Sequence, residues 1–301
     1  MTLATTLTVA SLRAADRVSP ALAAALAMPL FRQVRPALPV RPGDRAVHEH
    51  AARGTMTVRG REIVTYSWGR GAETVLLVHG WRGRAAQFGA IVRELRAEGF
   101  RVVAFDAPAN GDSAGRYTDI RDYVAAIEES QQRHGMFRAI VGHSFGSLAA
   151  LTAVREGTAT RGVVAIAGMA DARYLVDSFA TRVGLGAASA DALARDFARR
   201  VLPDVAEPYA RFDAVADPHP AEVPLLVVHD RGDREVAASE SQRLHAAHGE
   251  RSRLLLTEGS GHSRVLAADA TLDAVVAFVT GGLPALDAAG FAEHAVPAAS
   301  A

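Results

Sequence analysis

Six short apolar runs recur along the chain, at residues 74–78, 102–105, 139–141, 163–167, 224–228 and 253–256. Each is too short for a helix and apolar at successive positions, the pattern of a strand buried on both faces. Between them the apolar spacing becomes helical. Over residues 85–97, Phe88, Ile91, Val92 and Leu95 share one face and Gly99 closes the segment. Residues 117–133, 238–247 and 271–279 read as helices too, as does the stretch bearing Leu148, Leu151 and Val154. Strands alternating with helices over this length predict a mostly parallel sheet covered on both faces, an α/β architecture.

The flanks depart from that rhythm. Residues 55–67 read as two strands around Arg59-Gly60, a hairpin signal. Upstream, Pro36, Pro39 and Pro42 mark residues 31–52 as an extended linker. The first 30 residues predict a helix that packs on the body through Leu22, Leu26 and Leu30. No strand-like run falls within 171–220, which predicts a small helical insertion. There, residues 189–202 offer Ser189 as N-cap, a stripe of Leu193, Phe197 and Val201, and a stop at Pro203. The Ala/Pro/Gly-rich residues 283–301 predict a poorly ordered tail. The expected organisation is an N-terminal helix and linker (1–54), a core in two parts (55–170 and 221–282), the insertion 171–220 between them, and the tail 283–301.

Composition narrows the chemistry. The chain has 301 residues, 49% of them hydrophobic, enough for a large core. Its 33 basic residues, all arginine, balance 33 acidic ones without a run of like charge, so nucleic acid is not an expected partner. Lysine and cysteine are absent, which excludes a lysine Schiff base, thiolate catalysis, disulfides and cysteine-ligated zinc. Arg13, Asp16 and Arg17 interrupt the first apolar stretch well before the roughly 20 residues a membrane span needs. With no early positive charge either, the expectation is a cytoplasmic protein without stable membrane insertion, monomeric or homodimeric. Neither metal-ligand spacing nor a dinucleotide fingerprint occurs, so no metal and no cofactor are expected.

What stands at the ends of the predicted strands carries the chemistry. In α/β sheets, ligands and catalytic groups collect at the strands' carboxyl ends. Here these are His79-Gly80-Trp81, Asp106, Ser144 within Gly142-His143-Ser144-Phe145-Gly146, residues 229–236, and Gly259-Ser260-Gly261-His262. The G-x-S-x-G pentapeptide lies between a buried strand and a helix, where only glycine two residues either side of the serine lets the two approach closely. Together with D-x-P-x-x-G-x-S from Asp106, H-x-x-x-D-x-x-V from His229 and the closing G-x-G-H, the set resembles the α/β-hydrolase-fold serine hydrolases of esterase or lipase type. The resemblance spans residues 55–279 and departs from the family pattern at Ala109-Asn110, where a glycine or histidine is usual.

That resemblance implies the α/β-hydrolase fold, with a mostly parallel central sheet flanked by helices and a small helical cap. It implies Ser144 as nucleophile, His262 as general base and Asp233 as the acid, in the chain order expected of the fold. Asp230, on the same loop, and Asp171, one strand earlier, remain alternatives for the acid. It also implies the backbone N–H groups of Trp81 and Phe145 as an oxyanion hole. The expected activity is cleavage of an ester or thioester of a small acyl substrate. Acyl transfer, C–C hydrolysis, perhydrolysis, or slow turnover by a ligand-binding member are the alternatives. The insertion is expected to cover the strand ends, its stripe seating it on the body, with Tyr174, Phe179, Leu185 and Trp81 lining an acyl pocket.

Overall fold

The computed structural model describes residues 3–291. They divide into two compact units, one of Val34–Ala170 with 214–291 and one of 3–33 with Asp171–Asp213. The strands in chain order are β1 (Ala52–Val58), β2 (Arg61–Trp68), β3 (Thr74–Val78), β4 (Arg101–Phe105), β5 (Ala139–His143), β6 (Val163–Ile166), β7 (Leu225–Asp230) and β8 (Ser252–Thr257). The helices are α1 (Leu3–Val18), α2 (Pro20–Phe31), α3 (Arg45–Glu49), α4 (Gly89–Ala97), α5 (Ile120–His134), α6 (Phe145–Arg155), α7 (Ala172–Val183), α8 (Ala187–Val201), α9 (Pro208–Arg211), α10 (Ala238–His248), α11 (Gly261–Arg264) and α12 (Asp269–Ala288).

All eight strands form one sheet in the order β1-β2-β4-β3-β5-β6-β7-β8. The first two pairings are antiparallel and the remainder parallel. Composition accounts for the placement. β3, β5 and β7 are buried at every position, as strands with helices over both faces must be. β1, at the edge, buries only Met56 and Val58 and turns arginine and threonine to water. Arg59 and Gly60 both take positive φ, 46° and 77°, which closes the β1–β2 hairpin with the twist its strands need. α4 packs with α12, and α5 with α6. Ile91 and Leu95 of α4 and Phe278 and Val279 of α12 are buried in one core with Leu77, Val141 and Val228 of the sheet. Each such side chain contributes about 1.5–3 kcal/mol on leaving water.

The register decides where the chemistry emerges. Val78 pairs with Gly142, His143 with Ile166, and Ile166 with Val228. Four neighbouring parallel strands therefore end in step, and the residues that follow each leave the sheet on one edge.

Several boundaries move from their predicted places. The linker 31–52 holds a 3₁₀ turn at Pro42–Asp44 and α3, and Trp68 Nε1–H donates to Val47 O at 2.7 Å. α12 runs well past residue 279 because Leu286 is buried in the sheet's core; Gly282 at φ 69° breaks it and Pro284 lies just beyond. The predicted tail thus begins as helix, and its residues 292–301 lie outside the described residues. α12 is long and apolar enough to cross a membrane, yet Ala274, Val275, Phe278 and Val279 are committed to this core.

The helical unit has its own core, built from Leu12 of α1, Ala23, Ala24, Ala27 and Met28 of α2, Val176 and Ala180 of α7, and Ala190, Leu193 and Ala194 of α8. Here the predicted face of the first helix is corrected. Leu22 and Leu26 are 44% and 48% exposed, and only Leu30 of the expected three packs inward. Small side chains let α2 and α8 approach, so α2 buries its alanine face. Leu193 and Phe197 of the predicted stripe pack into this same core, where Phe197 meets Phe31 at 5.2 Å between ring centroids. Ser189 is not the N-cap: α8 starts at Ala187 behind Gly186, and Ser189 is buried in its first turn.

The closest approach between sheet and helix is at Gly146. A Cβ there would collide with Val78 O and stand 2.6 Å from His79 O, both backbone atoms that cannot yield. Gly146→Ala should destabilise the protein by about 3 kcal/mol or more, beyond the usual cost of overpacking. Gly99, with φ 84° and nothing within 4 Å of its missing Cβ, is the control. Gly99→Ala should cost about 1–2 kcal/mol, the strain of a left-handed alanine. Urea unfolding of both variants measures the difference.

Candidate active site

Ser144 is the last residue before α6 and takes φ 54° and ψ −123°, a conformation side chains rarely adopt. Its surroundings leave no relaxed alternative. A Cβ on Gly142 would stand 2.5 Å from Ser147 Cα, and one on Gly80 would stand 2.9 Å from Ser144 Cβ. Ser144 N–H donates to Ile166 O of the next strand at 2.9 Å. Ser144 is 7% exposed, with its hydroxyl at the N-terminus of α6. The loop through Gly80 passes against the serine, and Phe145 N–H is the first of α6. Among the described residues neither the Trp81 nor the Phe145 N–H donates to a protein acceptor. Trp81 meets Phe145 edge-on at 5.4 Å, and Phe145 meets Tyr123 at 5.0 Å.

The loops beyond β7 and β8 bring a carboxylate to an imidazole. His262 Nδ1–H donates to Asp233 Oδ2 at 2.7 Å. Asp233 Oδ1 accepts from the backbone N–H of Glu235 at 2.7 Å and of Val236 at 3.0 Å. Behind it, His229 Nε2 lies 3.3 Å from Asp233 Oδ2 while donating to Val236 O at 3.0 Å. Burial alone would raise the Asp233 pKa, but the hydrogen bonds from His229 and His262 prevail and hold it well below the usual carboxylate range. On its other side, His262 Nε2 is 3.9 Å from Glu235 Oε2, a half-exposed carboxylate.

The two alternative carboxylates serve elsewhere. Asp230 accepts from Gly232 N–H at 2.9 Å, Ser260 N–H at 2.8 Å and Thr257 Oγ1–H at 3.0 Å. It ties the two loops together without touching His262. Asp171 caps α7, accepting from Tyr174 N–H at 2.8 Å. Ser144 and His262 share no direct hydrogen bond among the described residues. Their link is His143, whose Nε2–H donates to the backbone carbonyl of His262 at 2.9 Å.

Another buried carboxylate organises the loops on the other flank. Asp106 accepts from Ala85 N–H at 2.7 Å, Asp112 N–H at 2.7 Å and Tyr66 Oη–H at 2.8 Å. Gly111, at φ 46°, leaves the carboxylate the space a Cβ would fill. Asn110 turns inward, donating to Pro108 O at 3.0 Å. Asp112 in turn pairs with Arg84 at 2.6 Å and with Arg53. His79 accepts from Ala107 N–H at 2.9 Å and donates to Gly80 O at 2.7 Å. The D-x-P-x-x-G-x-S loop and the His79-Gly80-Trp81 loop are thus braced against each other. Sequence reading identified both motifs but missed Tyr66, Arg84 and Asp112, which carry no motif of their own.

The residues expected to line a pocket divide between the two units. Trp81 stands at the elbow against Phe145. Phe179 packs on Phe31 of the helical unit at 5.3 Å, and Leu185 is 8% exposed in the same core. Tyr174 lies in the first turn of α7 and is only partly buried. Phe179 and Leu185 therefore belong to the packing of the helical unit, because α2, which sequence reading set against the body, supplies that unit's apolar partner face.

A strained serine after a parallel strand, a carboxylate–imidazole pair beyond the last two strands and an eight-stranded sheet define one class. The chain belongs to the alpha/beta hydrolase family, whose family model matches residues 75–277. Solved structures share the fold. An esterase of Pyrococcus furiosus, 18% identical, aligns over 81% of this chain and 97% of its own with a TM-score of 0.60. Mouse alpha/beta hydrolase domain-containing protein 10, 15% identical, aligns over 78% and 100% with 0.60. The thioesterase domain from the curacin biosynthetic pathway, 17% identical, aligns over 75% and 99% with 0.54. No curated protein matches the chain in sequence.

The depressed pKa of Asp233 makes a prediction for stability. A carboxylate with a lowered folded-state pKa stabilises fully above its unfolded value, about 3.9, and the contribution is lost as pH falls through the folded value. The wild type should therefore lose stability between pH 5 and the acid limit more steeply than Asp233→Asn, which cannot titrate there. Denaturant unfolding from pH 3 to 6 tests this; parallel curves would mean that Asp233 is not held ionised by its partners.

Proposed function

We propose that the protein is a serine hydrolase that cleaves a carboxylic ester or thioester of a small acyl substrate through an acyl-Ser144 intermediate. The observation that carries this reading is the 2.7 Å bond from His262 Nδ1 to Asp233 Oδ2, formed beyond β7 and β8 on the edge of the sheet where β5 ends at a serine held at φ 54°. A serine hydroxyl is a weak nucleophile until a neutral imidazole takes its proton. His262 Nε2 is the acceptor. With Asp233 fixing the hydrogen on Nδ1, the lone pair is on Nε2, and the carboxylate stabilises the imidazolium that forms.

The scheme balances with protein groups and water alone. Ser144 Oγ attacks the acyl carbon as its proton moves to His262 Nε2. The carbonyl oxygen becomes an oxyanion, for which the Phe145 and Trp81 N–H groups are the donors. Removing one such donor typically costs about 10²- to 10³-fold in rate. The imidazolium then protonates the departing alkoxide or thiolate. Water, deprotonated by the same nitrogen, attacks the acyl-enzyme and releases the acid. Glu235, 3.9 Å from Nε2, is a nearby negative charge during both steps in which the ring is cationic. The fold shared with an esterase and a thioesterase domain is compatible with this chemistry and does not choose between the two substrates.

Ser144→Ala should lower kcat on a short-chain nitrophenyl ester by about 10⁴-fold or more with unfolding behaviour unchanged. A fluorophosphonate probe should label the wild type once and the variant not at all. Full turnover by the variant would end the serine reading. Asp233→Asn should cost about 10³- to 10⁴-fold in kcat through the wrong imidazole tautomer, whereas Asp171→Asn should leave kcat within a few-fold. A severe Asp171→Asn would move the acid to the preceding strand.

A further inference from the structure

His143 does more than fill the elbow. Its two ring nitrogens belong to a chain of hydrogen bonds whose direction is fixed at both ends. At one end Arg84 N–H, which can only donate, meets Gln87 Oε1 at 3.4 Å. The Gln87 amide therefore turns its Nε2–H₂ toward His143 Nδ1, at 2.9 Å. At the other end His262 O, which can only accept, lies 2.9 Å from His143 Nε2. Each link then has one solution: Nδ1 is the acceptor and Nε2 bears the hydrogen. The ring is buried, and its centroid lies 4.8 Å from that of His262.

We propose that Gln87 and His143 are positioning residues that hold the His262 loop by its backbone, with the amide of Gln87 locking His143 in the tautomer that can donate to His262 O. This rests on the reading of His262 as the general base. α11, which carries His262, has four residues, and of the four neither Gly261, Ser263 nor Arg264 is buried. Asp230 holds the loop ahead of His262 through the Ser260 N–H at 2.8 Å, but it does not reach His262 itself. Asp233 restrains the imidazole tip, and His143 restrains the peptide from which the ring springs. Held at both the ring and its own peptide, His262 keeps an orientation that either contact alone would fix less firmly. Displacing a reacting group by about 1 Å can cost on the order of 10²-fold in rate.

The titratable groups facing His143 are His262 on its loop, Asp233 beyond β7 and His79 beyond β3. Burial, with the neighbouring His262, pushes the His143 pKa down to about 3, so the ring stays neutral while His262 works. A carboxylate in place of the Gln87 amide would change that in one direction. It can only accept, so it demands a hydrogen on Nδ1. At high pH the neutral ring meets that demand by giving up the Nε2 hydrogen, and the bond to His262 O is lost. At low pH the imidazolium carries both hydrogens and restores the bond.

The experiment compares wild type, His143→Leu, His143→Gln and Gln87→Glu for kcat and KM between pH 6 and 9, with unfolding curves to confirm that each folds. His143→Leu should lose about 10- to 100-fold in kcat with KM within about twofold. His143→Gln, which keeps a donor near Nε2, should recover most of the loss. For Gln87→Glu the ratio of its kcat to that of the wild type should rise as pH falls. ¹⁵N spectra of the resting wild type should show His143 neutral with its proton on Nε2. A pH-independent ratio for Gln87→Glu, equal losses in the two His143 variants, or a proton on Nδ1 would overturn the proposal. If Ser144→Ala stays fully active the hydrolase reading itself fails, whereas an inactive Ser144→Ala beside fully active His143→Leu removes the positioning role alone.

Discussion

A serine in a backbone conformation that costs about 1–3 kcal/mol is the constraint around which the core unit is arranged. Ser144 keeps φ 54° because β5, α6 and the loop after β3 leave it no space to relax. Gly142 and Gly146 allow α6 to start against the sheet, and Gly80 allows the neighbouring loop to pass within contact of the serine Cβ. The same crowding starts α6 at Phe145, directly after the serine.

Electrostatic roles follow from the type of donor each carboxylate meets. Asp230 and Asp233 lie three residues apart on one loop, yet Asp230 takes two backbone N–H groups and a threonine hydroxyl, none of which can give up its proton at neutral pH. Asp233 also meets backbone donors on Oδ1, but its Oδ2 faces two imidazoles, His229 and His262. One carboxylate is structural and the other can respond to charge on a ring. Asp106 repeats the first pattern on the opposite flank, where fixed donors from the backbone and Tyr66 hold two loops in register.

Much of this was legible in the sequence, for reasons that also mark where legibility ends. Buried parallel strands are uninterrupted apolar runs, and all six predicted ones exist, displaced by at most two residues at an end. The local motifs that carry Ser144, Asp233 and His262 were legible because their glycines and turn residues are demanded by backbone geometry. The face of α2 was not legible, because Leu22 and Leu26 look like a packing stripe, and only the alanines of α8 reveal that close approach favours Ala23, Ala24 and Ala27. For the same reason Phe179 and Leu185 were misassigned: helical periodicity tells which side of a helix is apolar and not what covers it. Gln87 and Arg84 were missed since their contacts cross 56 and 28 residues of sequence and leave no periodic trace.

The histidines around the elbow can be separated by counting protons. His79 uses Nδ1–H on Gly80 O and its Nε2 lone pair on Ala107 N–H. His229 gives Nε2–H to Val236 O and accepts the Ser241 hydroxyl on Nδ1 at 2.6 Å. His143 is committed at both nitrogens by Gln87 and His262 O. A ring with both nitrogens engaged cannot take a substrate's proton without breaking a bond in a buried site, which costs about 1–3 kcal/mol for the group left unpaired. His262 alone of the four has one nitrogen engaged, at Asp233, while Glu235 at 3.9 Å is beyond hydrogen-bonding range of the other. The neighbouring imidazoles are held by fixed partners, and among the described residues the Nε2 of His262 is the one ring nitrogen of the cluster that meets no protein donor or acceptor within hydrogen-bonding range.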